Sequence, residues 1–111
     1  KGLRILEPAD PRAVNAYYCL TVILSGSKAG VRDELLARLP ALGVGVSVHY
    51  PHPLPRLAYY REKYGYTYGT YPNAESISDT SINLPLGPHV DADDVDYICT
   101  KFVSLFKELN L

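Results

Sequence analysis

The residues best suited to do chemistry fall in one short stretch, His49-Tyr50-Pro51-His52-Pro53-Leu54-Pro55-Arg56. An imidazole and a phenol can each donate or accept a hydrogen bond, and a guanidinium can hold a phosphate or carboxylate through two parallel bonds. His49 and His52 form a His-x-x-His pair, with His89 as a third imidazole. At a strand end followed at once by proline the two rings need not converge, and further ligands are lacking, so no metal is expected. Gly45-Val46-Ser47-Val48-His49 is superficially like a nucleophile elbow. It has no closing glycine, and Pro51 blocks the helix that must follow, so no serine hydrolase is expected. The tyrosines at 59, 60, 64, 66, 68 and 71 could stack bases. Only Arg56, Arg61 and Lys63 accompany them, so an interface or core-edge cluster is the expectation.

These residues need elements to position them. Val44–Tyr50 alternates, with Val44, Val46 and Val48 on one face and Gly45, Ser47 and His49 on the other, which predicts a half-buried strand ending at Pro51. The prolines at 51, 53 and 55 then make a stiff bend. Upstream, Lys1–Val14 reads as an irregular entry and Tyr17–Leu24 as a buried strand closed by a turn at Ser25–Ser27. Val31–Leu39 places Val31, Leu35 and Leu39 on one helical face, with Leu36 beside them and Pro40 and Gly43 as the stop. Leu57–Tyr64 predicts one or two helical turns, Gly65–Tyr71 a loop, and Pro72–Asp79 a helix with proline in its first turn. Ser81–Leu86 predicts a short edge strand broken by Pro85. Asp91 is an expected N-cap, and Val95, Ile98, Phe102, Phe106 and Leu109 mark a long amphipathic helix to Leu109. The order predicts one two-layer α+β domain: a small, mainly antiparallel sheet of about three strands with helices on one face.

Bulk properties narrow the function classes. The chain has 111 residues, 47% hydrophobic and 21% charged, enough for one modest core. A net charge of −1 gives no basic field for a nucleic acid. No stretch reaches the roughly 20 apolar residues needed to span a bilayer, and no signal peptide opens the chain, so a cytoplasmic location is the default. Cys19 and Cys99 sit in apolar runs and read as buried, reduced thiols. With no methionine at all, the chain reads as starting mid-stream, a piece of something longer.

Several segments together resemble the DegT/DnrJ/EryC1/StrS family of pyridoxal-phosphate (PLP)-dependent sugar aminotransferases. Within Gly43–Tyr66, GVGVSVHYPHPLPRLAYYREKYGY, the residues His49, Tyr50, Pro51 and Pro53 match the family's His-Tyr-Pro-x-Pro bend. Pro72-Asn73-Ala74-Glu75 is similar to its Pro-x-Ala-Glu helix start, Asn83-Leu84-Pro85-Leu86 to its Ser-Leu-Pro-Leu strand, and Asp91–Ile98 to its closing helix. Ala16–Leu24 and Arg32–Leu39 fall in the family's order upstream. Pro55 stands where the family usually has a second histidine, and Leu57-Ala58 where a Gln-Pro pair often follows.

The resemblance implies the C-terminal small domain of such an enzyme, residues 1–111, with the large PLP-binding domain absent from the chain. The parent would move an amino group, from glutamate, to a keto group of a nucleotide-linked sugar, as a homodimer. PLP acts as an electron sink, and its Schiff-base lysine and pyridine carboxylate would lie in the large domain. Lys1, Lys28, Lys63, Lys101 and Lys107 lack the family's lysine context and read as solvated charges, so the chain alone would not be catalytic. The small domain would close the cleft, with His49 and Tyr50, and less directly His52 and Arg56, contacting the sugar nucleotide. A same-family sugar dehydratase, with histidine in place of the lysine, is an alternative. So is a free-standing interaction module using the tyrosine cluster.

Overall fold

The computed structural model describes residues 2–26 and 30–109; the turn expected through Ser27, and Lys1 and Lys28, lie partly or wholly outside them. Three strands, β1 (Leu3–Ile5), β2 (Leu20–Leu24) and β3 (Ser81–Leu84), form one open antiparallel sheet in the order β1-β2-β3. Leu3 pairs with Leu24 and Ile5 with Val22; on the other side Leu20 pairs with Leu84 and Ile23 with Ser81. The α+β architecture expected from the sequence is the one present, with helices α1 (Val31–Arg38), α2 (Ala58–Tyr64), α3 (Pro72–Thr80) and α4 (Ala92–Leu109).

The alternation of β2 and β3 sets the core. Val22, Leu24 and Ile82 point to one face and meet Val31, Leu35 and Leu39 of the α1 region, Val44, and Phe102, Leu105 and Phe106 of α4. Burying these apolar side chains is the main source of stability, at about 25 cal/mol per Å² removed from water. Arg38 of α1 donates to Glu108 of α4 at 2.9 Å, tying the two covering helices together at the surface. On the opposite face lie Thr21, Ile23, Ser81 and Asn83; Ile23 is buried outside the main cluster, and α3 packs against β2.

Local chemistry explains the element ends. Pro40 forces a 3-10 turn at Pro40–Leu42 after α1, and Gly43, at φ 76°, supplies the left-handed residue that releases the chain. Asp91 caps α4: its Oδ1 accepts the Asp94 amide at 2.9 Å, and Asp94 Oδ2 accepts the Asp91 amide at 3.3 Å. Tyr97 reaches from α4 to donate to the Leu42 carbonyl at 2.8 Å.

Several sequence expectations need correction. The entry segment is not wholly irregular: its Leu3–Ile5 pairs as an edge strand. Val44–Tyr50 keeps its alternation of burial but forms only a single bridge, Ser47 to Asn83. Continuing that register would set Gly45 opposite Pro85, which has no N–H to donate, so the ladder stops. Val95 is 47% exposed, and Leu105 takes the core place the periodicity gave it. Cys99 is exposed on α4, and Cys19 is half-buried; both are free thiols. No described helix is long and apolar enough to cross a membrane.

Candidate functional site

The bridge between Ser47 and Asn83 brings the 44–50 segment to the free edge of β3, on the sheet face that carries polar residues. Ser47 donates its amide to the Asn83 carbonyl at 3.2 Å, and Asn83 returns its own to Ser47 at 2.8 Å. His49, two residues on, therefore lies on the same face as the Asn83 side chain. Asn83 Nδ2 sits 2.7 Å from His49 Nδ1, and Thr21 Oγ1 donates to Asn83 Oδ1 at 2.7 Å. Cys19 Sγ lies 3.4 Å from Thr21 Oγ1. A continuous polar chain thus runs from β2 through β3 to His49.

Aromatic rings frame the exposed side of His49. Tyr18 meets it edge-on at 5.7 Å and Tyr50 at 6.0 Å. Tyr50 is 72% exposed and Tyr18 84% exposed, so the cluster opens outward and is not sealed in the core. The chain turns into Tyr18 at Tyr17, which takes a left-handed φ of 48° while its amide donates to Asn15 Oδ1 at 2.8 Å. Thr21, Asn83 and Tyr18 were not singled out in the sequence. Their signal was there for the first two: polar residues alternating with apolar ones in short strands face away from the core.

Arg56 and His52 are placed differently. Arg56 does meet carboxylates, but they are the chain's own. Its two terminal nitrogens contact Asp79 at 2.6 and 2.8 Å and Glu75 at 2.9 Å, and its guanidinium lies 5.3 Å from the centre of the Tyr68 ring. Glu75 Oε1 also accepts the Gly69 amide at 2.8 Å, where Gly69 adopts a φ of 83°. The cluster pins the 65–71 loop and the proline bend to α3. His52 is exposed on the bend, and among the described residues no hydrogen bond joins it to His49. The structure thus gathers His49 and Tyr50 and engages Arg56 elsewhere.

The Arg56 hydrogen bonds hold both Glu75 and Asp79 below their ordinary values of 4.5 and 3.8, against the opposing effect of burial. A depressed carboxylate pKa stabilises the fold above its unfolded value and stops doing so as pH falls through its folded value. Arg56→Met should therefore be less stable than the parent sequence at pH 7. The gap should begin to close below about pH 4.5 and vanish in stronger acid, as read from urea midpoints against pH. A gap independent of pH would mean that packing, not the ion pairs, is what Arg56 contributes.

The remaining tyrosines form a contiguous surface. Tyr59 and Tyr60 meet edge-on at 5.1 Å, Tyr60 stacks with Tyr64 at 6.2 Å, and Tyr66 meets Tyr71 at 5.5 Å. Lys63 lies over both Tyr59 and Tyr64. Among the described residues no group of three or more His, Cys, Asp or Glu side chains is arranged to hold a metal ion.

The described residues do not fit PLP. Lys63 and Lys101 rest on the tyrosine rings beside them, and Lys107 is exposed in the last turn of α4. The acidic partners of Arg56 are consumed within the fold. The concavities around Ile5 and Asn15, around Gly43 and Tyr97, and around Leu3 and Cys99 are lined by no described lysine.

An open three-stranded antiparallel sheet backed by helices, with a proline-locked corner at one edge, has the architecture of part of a fold-type I aminotransferase. Residues 2–103 match the DegT/DnrJ/EryC1/StrS aminotransferase family, and the chain belongs to that family. It is 33% identical over 84 residues to the spore coat polysaccharide biosynthesis protein SpsC of Bacillus subtilis, covering 74% of this chain and 21% of SpsC. It is 37% identical over 60 residues to the dTDP-3-amino-3,4,6-trideoxy-alpha-D-glucose transaminase of Streptomyces venezuelae, covering 54% of this chain and 16% of that one. Among solved structures, Spr1654 of Streptococcus pneumoniae in its PLP form superposes with a TM-score of 0.85 at 24% identity, over 97% of this chain and 27% of that one. The last likeness speaks for the fold. The chain spans about a fifth of the length of the curated relatives it matches.

Proposed function

We propose that this chain is the C-terminal small domain, residues 1–111, of a cytoplasmic PLP-dependent sugar aminotransferase. The parent moves an amino group, from glutamate, to a keto group of a nucleotide-linked sugar, and works as a homodimer. PLP is held by polypeptide outside this chain, and the chain alone is inactive. Its own task is to form the sugar-side wall of the cleft. His49 and Tyr50 project their polar atoms toward the sugar nucleotide, His52 stands on the rim, and Arg56 fixes the bend that carries them.

The observation that carries this reading is the exposed His49–Tyr50–Tyr18 cluster, built on hydrogen bonds from two strands and open on its outer side. Exposed aromatic rings around an anchored imidazole suit a surface completed by something else: the rings exclude water while the imidazole and phenol give direction. Family membership and the transaminase named among the relatives supply the class of that partner surface and substrate.

Treating the purified chain with PLP and then borohydride tests where the cofactor is held. Scattered, substoichiometric lysine adducts by mass spectrometry are expected. A one-to-one adduct at a single lysine would show that the chain carries a cofactor site of its own.

A further inference from the structure

The hydrogen bonds around Asn83 have a direction. An amide nitrogen has no lone pair to offer, so Asn83 Nδ2 donates across its 2.7 Å contact and His49 Nδ1 accepts. With the amide this way round, the Thr21 hydroxyl donates to Oδ1 at 2.7 Å. With its hydroxyl proton so used, Thr21 accepts from the Cys19 thiol at 3.4 Å. Asn83 is 6% exposed, so its amide has little water to turn to instead. In this orientation the steps from Cys19 to His49 run in one direction, which matches a neutral ring with its proton on Nε2, the nitrogen remote from the sheet.

We propose that Asn83 is a positioning residue that fixes His49 as the Nε2–H imidazole, making the site's outward group a donor matched to an acceptor oxygen of the ligand. This rests on the reading of His49 as a sugar-nucleotide contact. It adds which atom makes that contact, in which protonation form, and which buried residue decides it. The acceptor is a sugar carbonyl or hydroxyl oxygen, or a phosphate oxygen. The groups facing the ring are Tyr18 and Tyr50 from the solvent side and Asn83 from the sheet, so among these direct neighbours only Asn83 touches Nδ1.

Long-range ¹H–¹⁵N correlation spectra of the ¹⁵N-labelled 111-residue chain read the tautomer directly. Each variant is titrated first to find where its rings are neutral, and His49 is assigned by its loss in His49→Gln. The original sequence should show the Nε2–H form at His49. Asn83→Asp replaces the donor by an acceptor and should move the proton to Nδ1, with loss of the Nε2–H pattern. Thr21→Val leaves Oδ1 without its partner in the present orientation and should give both forms, so the test survives if the buried aspartate prevents folding. An Nδ1–H form in the original sequence, or an Nε2–H pattern unchanged in either folded variant, would overturn the proposal. The spectra involve no substrate. A positive result alongside a failed sugar-side role would therefore separate Asn83's action on the ring from the ring's action on the sugar.

Discussion

Replacing Leu35 by alanine is expected to lower the unfolding free energy of this chain by about 2–5 kcal/mol. Leu35 is fully buried, on the α1 face that meets the sheet and α4. Truncation removes three carbons, a methine and two methyls, from a close-packed interior, and the rigid strand and helix around them collapse only partly into the space. Small domains have only about 5–15 kcal/mol to lose, so the variant should unfold at a much lower urea concentration. Val95→Ala is the matched control. Val95 is 47% exposed on α4, and alanine is the better helix former, so its change should be within about 0.7 kcal/mol. A Leu35→Ala cost no larger than the Val95→Ala change would mean that α1 is not packed as described.

That pair also shows what the sequence could and could not disclose. Val31, Leu35 and Leu39 repeat at one-turn spacing between a charged surface and a proline-glycine stop, and the helix they predict is present with that face inward. In α4 the same periodicity gives the helix and its inner face, with Ile98, Phe102, Phe106 and Leu109 in or against the core, but it includes the exposed Val95 and misses the buried Leu105. β1 left no local trace, because Leu3–Ile5 is exposed at all three residues and owes its strand geometry to pairing with β2. The 44–50 segment shows the opposite failure. Its alternation is correct, but the partner strand is cut short by Pro85, a limit set 35 or more residues away.

The site was legible to a similar degree. His49 and Tyr50 stand out because a proline bend follows them at once, and the structure sets them side by side. Arg56 looked free, since its carboxylate partners Glu75 and Asp79 lie 19 and 23 residues downstream on α3. Asn83 and Thr21 looked like ordinary strand residues. Only the register of β2 against β3, which sets them directly opposite one another, turns them into a support for the imidazole.

In the full-length sugar aminotransferase proposed above, His49→Ala is expected to slow the sugar side of the reaction by about 10–100-fold. One lost hydrogen bond to a polar or charged ligand oxygen is worth about 1–3 kcal/mol, and each 1.4 kcal/mol is a tenfold change in rate. On the proposed reading this wall meets the sugar nucleotide, and the smaller amino donor, which has no sugar ring, does not reach it. Tyr18 and Tyr50 are exposed neighbours of the ring, so removing the imidazole leaves the core intact, and a general loss of structure would slow both sides alike. The decisive measurement is the pair of single-turnover rates, with glutamate alone and with the keto-sugar nucleotide alone, in the original enzyme and in His49→Ala. Loss confined to the sugar-nucleotide reaction is the predicted result. Equal loss in both reactions, or none in either, would contradict the assignment of this corner to the sugar.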